Sequence, residues 1–169
     1  MLASLDIQWG KVGFCGATRY GAVFAGQFDH AIDGKGRVSV PVRFREVLQK
    51  AGLERLYITN FIVSNEQCLQ MYLPSDWERL VGRIKERANF ERKAQLFQIF
   101  YIGGAHEVEV DRQGRILIPP KLREFAHLEK DVTFSAMTDH FQVWDKSTLE
   151  RIRGEAKESF NDLIREVGV

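Results

Sequence analysis

A short segment of this chain occurs twice, and this repetition constrains the fold more than any other feature. Residues 33–48 read DGKGRVSVPVRFREVL, and residues 111–126 read DRQGRILIPPKLREFA. The identical positions are Asp33 and Asp111, Gly36 and Gly114, Arg37 and Arg115, Pro41 and Pro119, Arg45 and Arg123, and Glu46 and Glu124. Chance does not preserve such a pattern, so we expect two copies of one structural unit. Function should then lie in what both copies present.

The similarity continues beyond this segment. Residues 69–80, LQMYLPSDWERL, match residues 141–152, FQVWDKSTLERI. Each copy then runs strand, turn, strand, short helix, hairpin and longer helix, which predicts a mixed α+β fold. We place the copies at 23–101 and 102–169, after a glycine-rich flexible extension over 1–22. One copy is short for an independent hydrophobic core, so the two copies are expected to share one.

The turn and the short helix of each copy have clear local signals. Gly36 and Gly114 are expected to supply a positive φ in the two turns. The first strand of the first copy is predicted over 24–32, and Pro41 starts its short helix. That helix has a periodic apolar face, and Gly52 ends it.

The longer helices carry helix-start signals and apolar stripes. The patterns Ser75-x-x-Glu78 and Ser147-x-x-Glu150 predict two capping boxes. The first long helix is expected to bend near Asn89. The apolar positions from Leu149 to Val167 predict one helix to the C-terminus.

Composition excludes some classes of protein and leaves others open. The sequence has no continuous apolar stretch long enough for a transmembrane helix, and its start lacks the pattern of a signal peptide. Cys15 and Cys68 are too few for a disulfide framework, so a cytosolic setting is expected. Cys68 stands among apolar residues and is interpreted as a core residue. The net charge of +1 does not by itself argue for or against nucleic acid.

The distribution of charge is more informative than the total. Residues 35–45 and 112–123 contain basic residues and no acid. The turn returns the chain before the short helix, so the basic groups of one copy are expected to lie close together. Their chemistry would be phosphate neutralisation, with an arginine in bidentate contact with a guanine. The glutamates that follow, Glu46 and Glu124, are expected to pair with neighbours one helical turn away.

Catalytic and metal-binding patterns find little support. His30, His106, His127 and His140 are scattered, without the spacing of a zinc site. No nucleophile elbow or phosphate-binding loop is present. The sequence therefore predicts neither an enzyme nor a cofactor, and no small-molecule substrate is implied.

Two D-x-x-x-R segments, each leading through a β run into P-x-[KR]-x-R-E, form a specific combination. Together with the opening VFAGQFDHAIDGKGRVSVP, they resemble the MraZ family of bacterial transcription regulators, which have two AbrB-like swapped-hairpin modules in one chain. The resemblance covers about residues 23–168. One departure is at residues 23–26, where VFAG replaces the family's frequent M-F-R-G, so any contact made by that arginine is missing. Family chains usually begin near this point, and we expect Val23 to be the true initiator.

The resemblance implies a sequence-specific DNA-binding protein. Family members act at the promoter of the division and cell-wall gene cluster, bind short direct repeats upstream of their own gene, and assemble into rings. The family's DNA-contacting arginine falls on Arg37, Lys35 matches a further basic position, and Arg115 takes the equivalent place in the second copy. A ring would explain how a chain of nearly zero net charge binds DNA, because neighbouring subunits present the same patch to successive repeats.

The resulting prediction is a cytoplasmic, nucleoid-associated regulator whose partners are double-stranded DNA and further copies of itself. The candidate DNA-binding residues are Lys35, Arg37, Arg43, Arg45, Arg115, Lys121 and Arg123, and the candidate structural residues of the turns are Asp33, Gly36, Asp111 and Gly114. Two alternatives stay open. Each aspartate and the arginine four residues later form only a structural salt bridge, or the arginines serve subunit contacts in a module that binds or inhibits a protein encoded by a neighbouring gene.

Overall fold

The computed structural model describes residues 21–87 and 92–168, so most of the predicted extension lies outside the described residues. The strands are β1 (Gln27–Ala31), β2 (Arg37–Ser39), β3 (Arg55–Val63), β4 (Glu66–Tyr72), β5 (His106–Glu109), β6 (Arg115–Leu117), β7 (Asp131–Ala136) and β8 (Phe141–Asp145). The helices are α1 (Val42–Lys50), α2 (Pro74–Arg87), α3 (Arg92–Phe97), α4 (Pro120–Phe125), α5 (Lys146–Glu158) and α6 (Phe160–Val167), with a π-helix over Gln98–Ile102.

The two copies exchange their first strands. The larger sheet has the order β1-β7-β8-β4-β3-β5, and its ladders are antiparallel. Strand β1 of the first copy pairs with β7 of the second, and β5 of the second copy pairs with β3 of the first. The α+β prediction of tandem swapped-hairpin units is therefore confirmed.

The second strands of the two copies form a separate two-stranded ribbon. Strand β2 runs antiparallel to β6, with Arg37 opposite Leu117, Val38 opposite Ile116, and Ser39 opposite Arg115. Val38 and Ile116 are each 1% exposed and face the core. Because side chains alternate along a strand, the other four residues lie on the opposite face.

The core contains residues from both copies. Phe44 of α1 packs against Phe141 of β8 with ring centroids 5.3 Å apart, and Phe24 lies 5.0 Å from both rings. All three side chains are buried. Neither copy encloses these rings alone, so the predicted shared core is confirmed.

Local signals in the first copy are mostly realised. Helix α1 ends at Lys50, and Gly52 follows its cap as predicted, with φ of +64° and Leu53 N–H donating to the Leu48 carbonyl at 2.9 Å. The first strand is shorter than the predicted 24–32, since Phe24 joins the sheet only through an isolated bridge to Thr138.

Neither predicted capping box forms. In α2 the Ser75 hydroxyl is buried without a hydrogen-bond partner among the described residues. In α5 the cap is Asp145, whose carboxylate accepts from Thr148 N–H at 2.9 Å. Aspartate is a strong N-cap, and at the end of β8 it stands one turn ahead of Thr148. Ser147 instead donates its hydroxyl to that carboxylate.

The C-terminal apolar stripe is divided between two helices. Ser159 separates α5 from α6, and its hydroxyl donates to the Glu155 carbonyl at 2.9 Å, competing with the helical ladder. The predicted bend near Asn89 falls outside the described residues. No helix within residues 21–87 or 92–168 is long and apolar enough to cross a membrane.

Two short helical segments leave large apolar side chains in solvent. On α6, Phe160 is 58% exposed and Val167 is 72% exposed. On α3 and the π-helix, Leu96 is 55% exposed and Ile99 is 72% exposed. Large exposed apolar patches on a protein surface are typical of interaction sites.

Candidate nucleic-acid interface

The turn between β1 and β2 is built around Asp33. Its carboxylate accepts from Lys35 N–H at 2.9 Å, from Arg37 N–H at 3.0 Å and from Arg37 Nε at 2.8 Å. Gly36 completes the turn with φ of +84°. The carboxylate thus holds both the backbone and the side chain of Arg37, which confirms the predicted salt bridge.

The second copy repeats this geometry. Asp111 accepts from Gln113 N–H and Arg115 N–H at 2.9 Å each, and Gly114 has φ of +74°. Arg115 approaches the Asp111 carboxylate with Nε at 3.0 Å and Nη2 at 2.9 Å. The second predicted salt bridge is therefore also confirmed.

The hydrogen bonds of this turn determine how Asp33 titrates. The Arg37 N–H, then the Arg37 side chain and Lys35 N–H, lower the pKa of the Asp33 carboxyl to about 2. The ordinary value is 3.8. Because the folded-state pKa is the lower one, this stabilisation is fully present above about pH 4. It is lost as the pH falls through about 2.

We therefore expect the Asp33 carboxyl carbon to titrate with a midpoint near pH 2 in a ¹³C NMR pH series. The midpoint should stay below 3.8 in Arg37→Ala, because the largest cause is a backbone N–H that this variant keeps. A midpoint at or above 3.8 in the wild-type protein would show that the turn does not form as described.

The outward face of the ribbon displays both arginines. Arg37 and Arg115 lie on different strands and are offset by two residues in register. Their Cα atoms are therefore about 8 Å apart, from the strand rise and the strand spacing. Leu117, opposite Arg37, is 52% exposed, and Ser39 faces Arg115. Sequence reasoning missed this face because only the pairing between copies brings the two arginines together.

Three more of the predicted basic residues are exposed, in the first turn and in the short helices that follow the two ribbon strands. Lys35 lies in the first turn, and Lys121 lies in α4. Arg43 in α1 has 77% of its side chain exposed and a loose contact of 3.9 Å with Glu46. The predicted pairing of Glu46 is therefore confirmed. Such exposed cations remain available to phosphate groups.

The last two predicted residues lie where the sequence did not indicate. Arg123 of α4 packs against Gly36 of the first copy, and Arg45 of α1 packs against Gly114 of the second. The expectation that the basic groups of one copy cluster together is therefore wrong for these two. The exchange of strands places each short helix beside the other copy's turn.

Within the part of the chain that the structure describes, the buried cysteine and the possible metal ligands do not meet the requirements of a reactive site. Cys68 is buried as predicted, and burial raises the pKa of its thiol to about 12. At neutral pH this thiol is protonated and is a poor nucleophile. Within residues 21–87 and 92–168, no cluster of three or more histidine, cysteine or acidic side chains is arranged to hold a metal ion.

A family model and individual relatives point to the same protein family. The family described as "MraZ protein, putative antitoxin-like" matches residues 23–100 and again residues 101–166. A protein of Syntrophobacter fumaroxidans named "Transcriptional regulator MraZ" is 38% identical over 141 residues, covering 83% of this chain and 91% of that protein.

Two further relatives carry the same name. The protein of Acetivibrio thermocellus is 36% identical over 147 residues, covering 87% of this chain and 98% of that protein. The protein of Thermoanaerobacter sp. strain X514 is 36% identical over 138 residues, covering 82% of this chain and 92% of that protein.

Proposed function

This chain belongs to the MraZ family, and we propose that it is a transcriptional regulator that binds double-stranded DNA through the ribbon of β2 and β6. The observation that carries this proposal is the ribbon itself. The major groove of B-DNA admits a two-stranded β-ribbon. Here one ribbon presents an arginine from each copy on its outward face.

The basic residues divide into two kinds of contact. Arg37 and Arg115 project from the ribbon, and arginine makes bidentate contact with guanine O6 and N7 in the major groove. Lys35, Arg43 and Lys121 are exposed and are suited to phosphates, which fix the register without reading sequence. The aspartates Asp33 and Asp111 hold the two arginines in place before DNA arrives.

Self-assembly would link several DNA-binding ribbons in one particle. We propose a closed ring in which the exposed apolar faces of α6 and of α3 with the π-helix make the subunit contacts. One subunit offers few phosphate contacts and binds weakly on its own. Linked sites can exceed the affinity of one site by about 10²–10⁴ without new contacts.

The DNA target follows from the family rather than from the fold. We propose that the ring binds direct repeats upstream of the protein's own gene, in the promoter of the division and cell-wall gene cluster. It would act in the cytoplasm, on the nucleoid. The family is one of transcriptional regulators and not of enzymes.

We expect binding to weaken steeply with salt. Three phosphate contacts from one subunit give a slope of log K against log [salt] of about −3. Each further subunit on the DNA should make this slope steeper by about 3. A shift assay with a duplex from upstream of the gene, measured between low and physiological salt, provides this slope. A scrambled duplex of equal length is the control. Binding that is independent of salt would contradict the proposal.

The exposed helix faces also allow a second function. If they do not join subunits, they are free to bind another protein, such as the product of a neighbouring gene. In that case substitutions on these faces would leave the size of the assembly unchanged. Size-exclusion chromatography with light scattering separates the two functions.

A further inference from the structure

An arginine of the other copy packs against the glycine of each turn that leads into a ribbon strand. Arg123 lies so close to Gly36 that a Cβ atom at that position would stand 2.7 Å from the Arg123 Cζ. Arg123 Nε donates to the Ile118 carbonyl at 3.2 Å, and Ile118 N–H donates to the Gly36 carbonyl at 3.1 Å. This chain of contacts ends at the residue that precedes Arg37.

The mirror arrangement holds the second turn. Arg45 packs against Gly114, and Val40 N–H donates to the Gly114 carbonyl at 2.9 Å. Arg45 also lies close enough to His30 that, after burial, its charge is the next cause lowering the pKa of that imidazole. Arg45 Nε is buried and has no hydrogen-bond partner among the described residues, so this contact has one bond fewer than that of Arg123.

We propose that Arg123 and Arg45 are positioning residues, each of which holds the DNA-reading arginine of the opposite copy in its binding geometry. Arg123 acts on Arg37 through Gly36, and Arg45 acts on Arg115 through Gly114. This inference rests on the proposed DNA-binding function. It replaces the direct DNA contact that the sequence predicts for these two residues.

The two contacts differ in their hydrogen bonds. The planar Arg123 guanidinium lies against Gly36 while its Nε donates to the Ile118 carbonyl. Arg45 lies against Gly114 through its Cδ and Nη1 atoms, and its Nε has no partner among the described residues. Any side chain on Gly36 would meet the Arg123 guanidinium and would also need a positive φ that other residues rarely adopt. The glycine repeated in each turn therefore contacts the arginine repeated in the short helix of the other copy.

Crossed double-mutant cycles test the proposal. Arg37→Lys and Arg115→Lys keep the charge but replace the planar guanidinium fork with a compact ammonium, which is not conservative at a bidentate site. Binding to the upstream duplex should weaken about tenfold in Arg37→Lys and less in Arg115→Lys. Arg123→Lys should weaken binding about fivefold in the wild-type and Arg115→Lys backgrounds, but have little further effect with Arg37→Lys. Arg45→Lys should weaken binding in the wild-type and Arg37→Lys backgrounds, by less than fivefold, and should have little further effect with Arg115→Lys. Additive effects in all four combinations would overturn the proposal.

The salt slope separates positioning from direct contact with phosphate. A lost phosphate contact reduces the slope by about 0.9 and weakens the scrambled duplex as much as the upstream one. Loss of positioning leaves the slope unchanged and lowers only the preference for the upstream duplex. A reduced slope in Arg123→Gln would show that Arg123 touches DNA, against the proposal.

A measurement without DNA keeps this inference separate from the proposed function. In ¹H–¹⁵N NMR spectra of the free protein, Arg123→Lys should shift the Nε resonance of Arg37 but not that of Arg115. Arg45→Lys should do the reverse. If this crossed pattern appears and the wild-type protein does not bind DNA, the proposed function fails while the positioning contact stands.

Folding is checked in each variant. Melting temperatures should stay within about 3 °C of wild type, because lysine keeps most of the stem packing. Arg123→Met, which keeps the stem, replaces Arg123→Lys if the latter unfolds. Unfolding of both variants would contradict the proposal, since it would make Arg123 a residue of overall stability.

Discussion

Replacing Arg37 with alanine is expected to abolish detectable binding to the upstream duplex while the assembly keeps its size. Arg37 lies on the outward face of the ribbon, and its backbone amide, not its side chain, makes the largest contribution to the low pKa of Asp33. The turn should therefore survive the substitution. One bidentate arginine contact is worth about 1–3 kcal/mol, and every engaged subunit loses its own.

Two matched substitutions control this experiment. Arg55→Ala removes an arginine that is more exposed than Arg37 and that pairs with Glu107 at 2.9 Å across β3 and β5 instead of lying on the ribbon. It should leave DNA binding unchanged. Arg115→Ala should have a milder effect than Arg37→Ala, and an equal loss would show that the two copies contribute equally to reading bases. If Arg37→Ala instead breaks the assembly, the arginine serves subunit contacts.

Replacing Phe160 with glutamate is expected to separate the subunits and lower DNA affinity by about 10²–10⁴. Phe160 is 58% exposed at the start of α6, so a charge there should not disturb the fold of one subunit. In a subunit interface the same charge would be buried without a partner, which is costly. Light scattering for subunit mass and a shift assay for affinity measure the two effects.

The neighbouring residue supplies the control. Asn161 is exposed and follows Phe160 on α6, about 100° around the helix and away from the apolar stripe. Asn161→Glu adds the same charge and should leave both mass and affinity unchanged. Ile99→Glu tests the face of the π-helix in the same way. If neither apolar substitution changes the mass, these faces do not make the ring.

Much of the architecture could be predicted because the sequence contains two copies of the same unit. The glycine three residues after each aspartate indicated the turns, and the apolar spacing of α1 together with Gly52 indicated a short helix. These are local signals, in which the residues that decide the structure are close neighbours in the chain. The same holds for the ion pairs of Asp33 with Arg37 and of Asp111 with Arg115.

Two of the wrong predictions have clear physical causes. At the start of α5 two groups separated by one residue could each cap the helix, and Asp145 caps it in place of Ser147 because it stands at the end of β8. At Arg45 and Arg123 the deciding contact is between copies, through an exchange of strands that residue spacing does not encode. Sequence reasoning therefore found the basic residues but not which turn each one supports.

The central claim is that the ribbon of β2 and β6 lies in the major groove with Arg37 on a guanine edge. Methylation of guanine N7 by dimethyl sulfate tests it directly, because N7 is exposed only in that groove. On the upstream duplex, the wild-type protein should protect discrete guanines at a regular spacing, and Arg37→Lys, at a concentration that saturates the duplex, should leave them more reactive. Tight binding by the wild-type protein with every guanine N7 still open to methylation would contradict the claim.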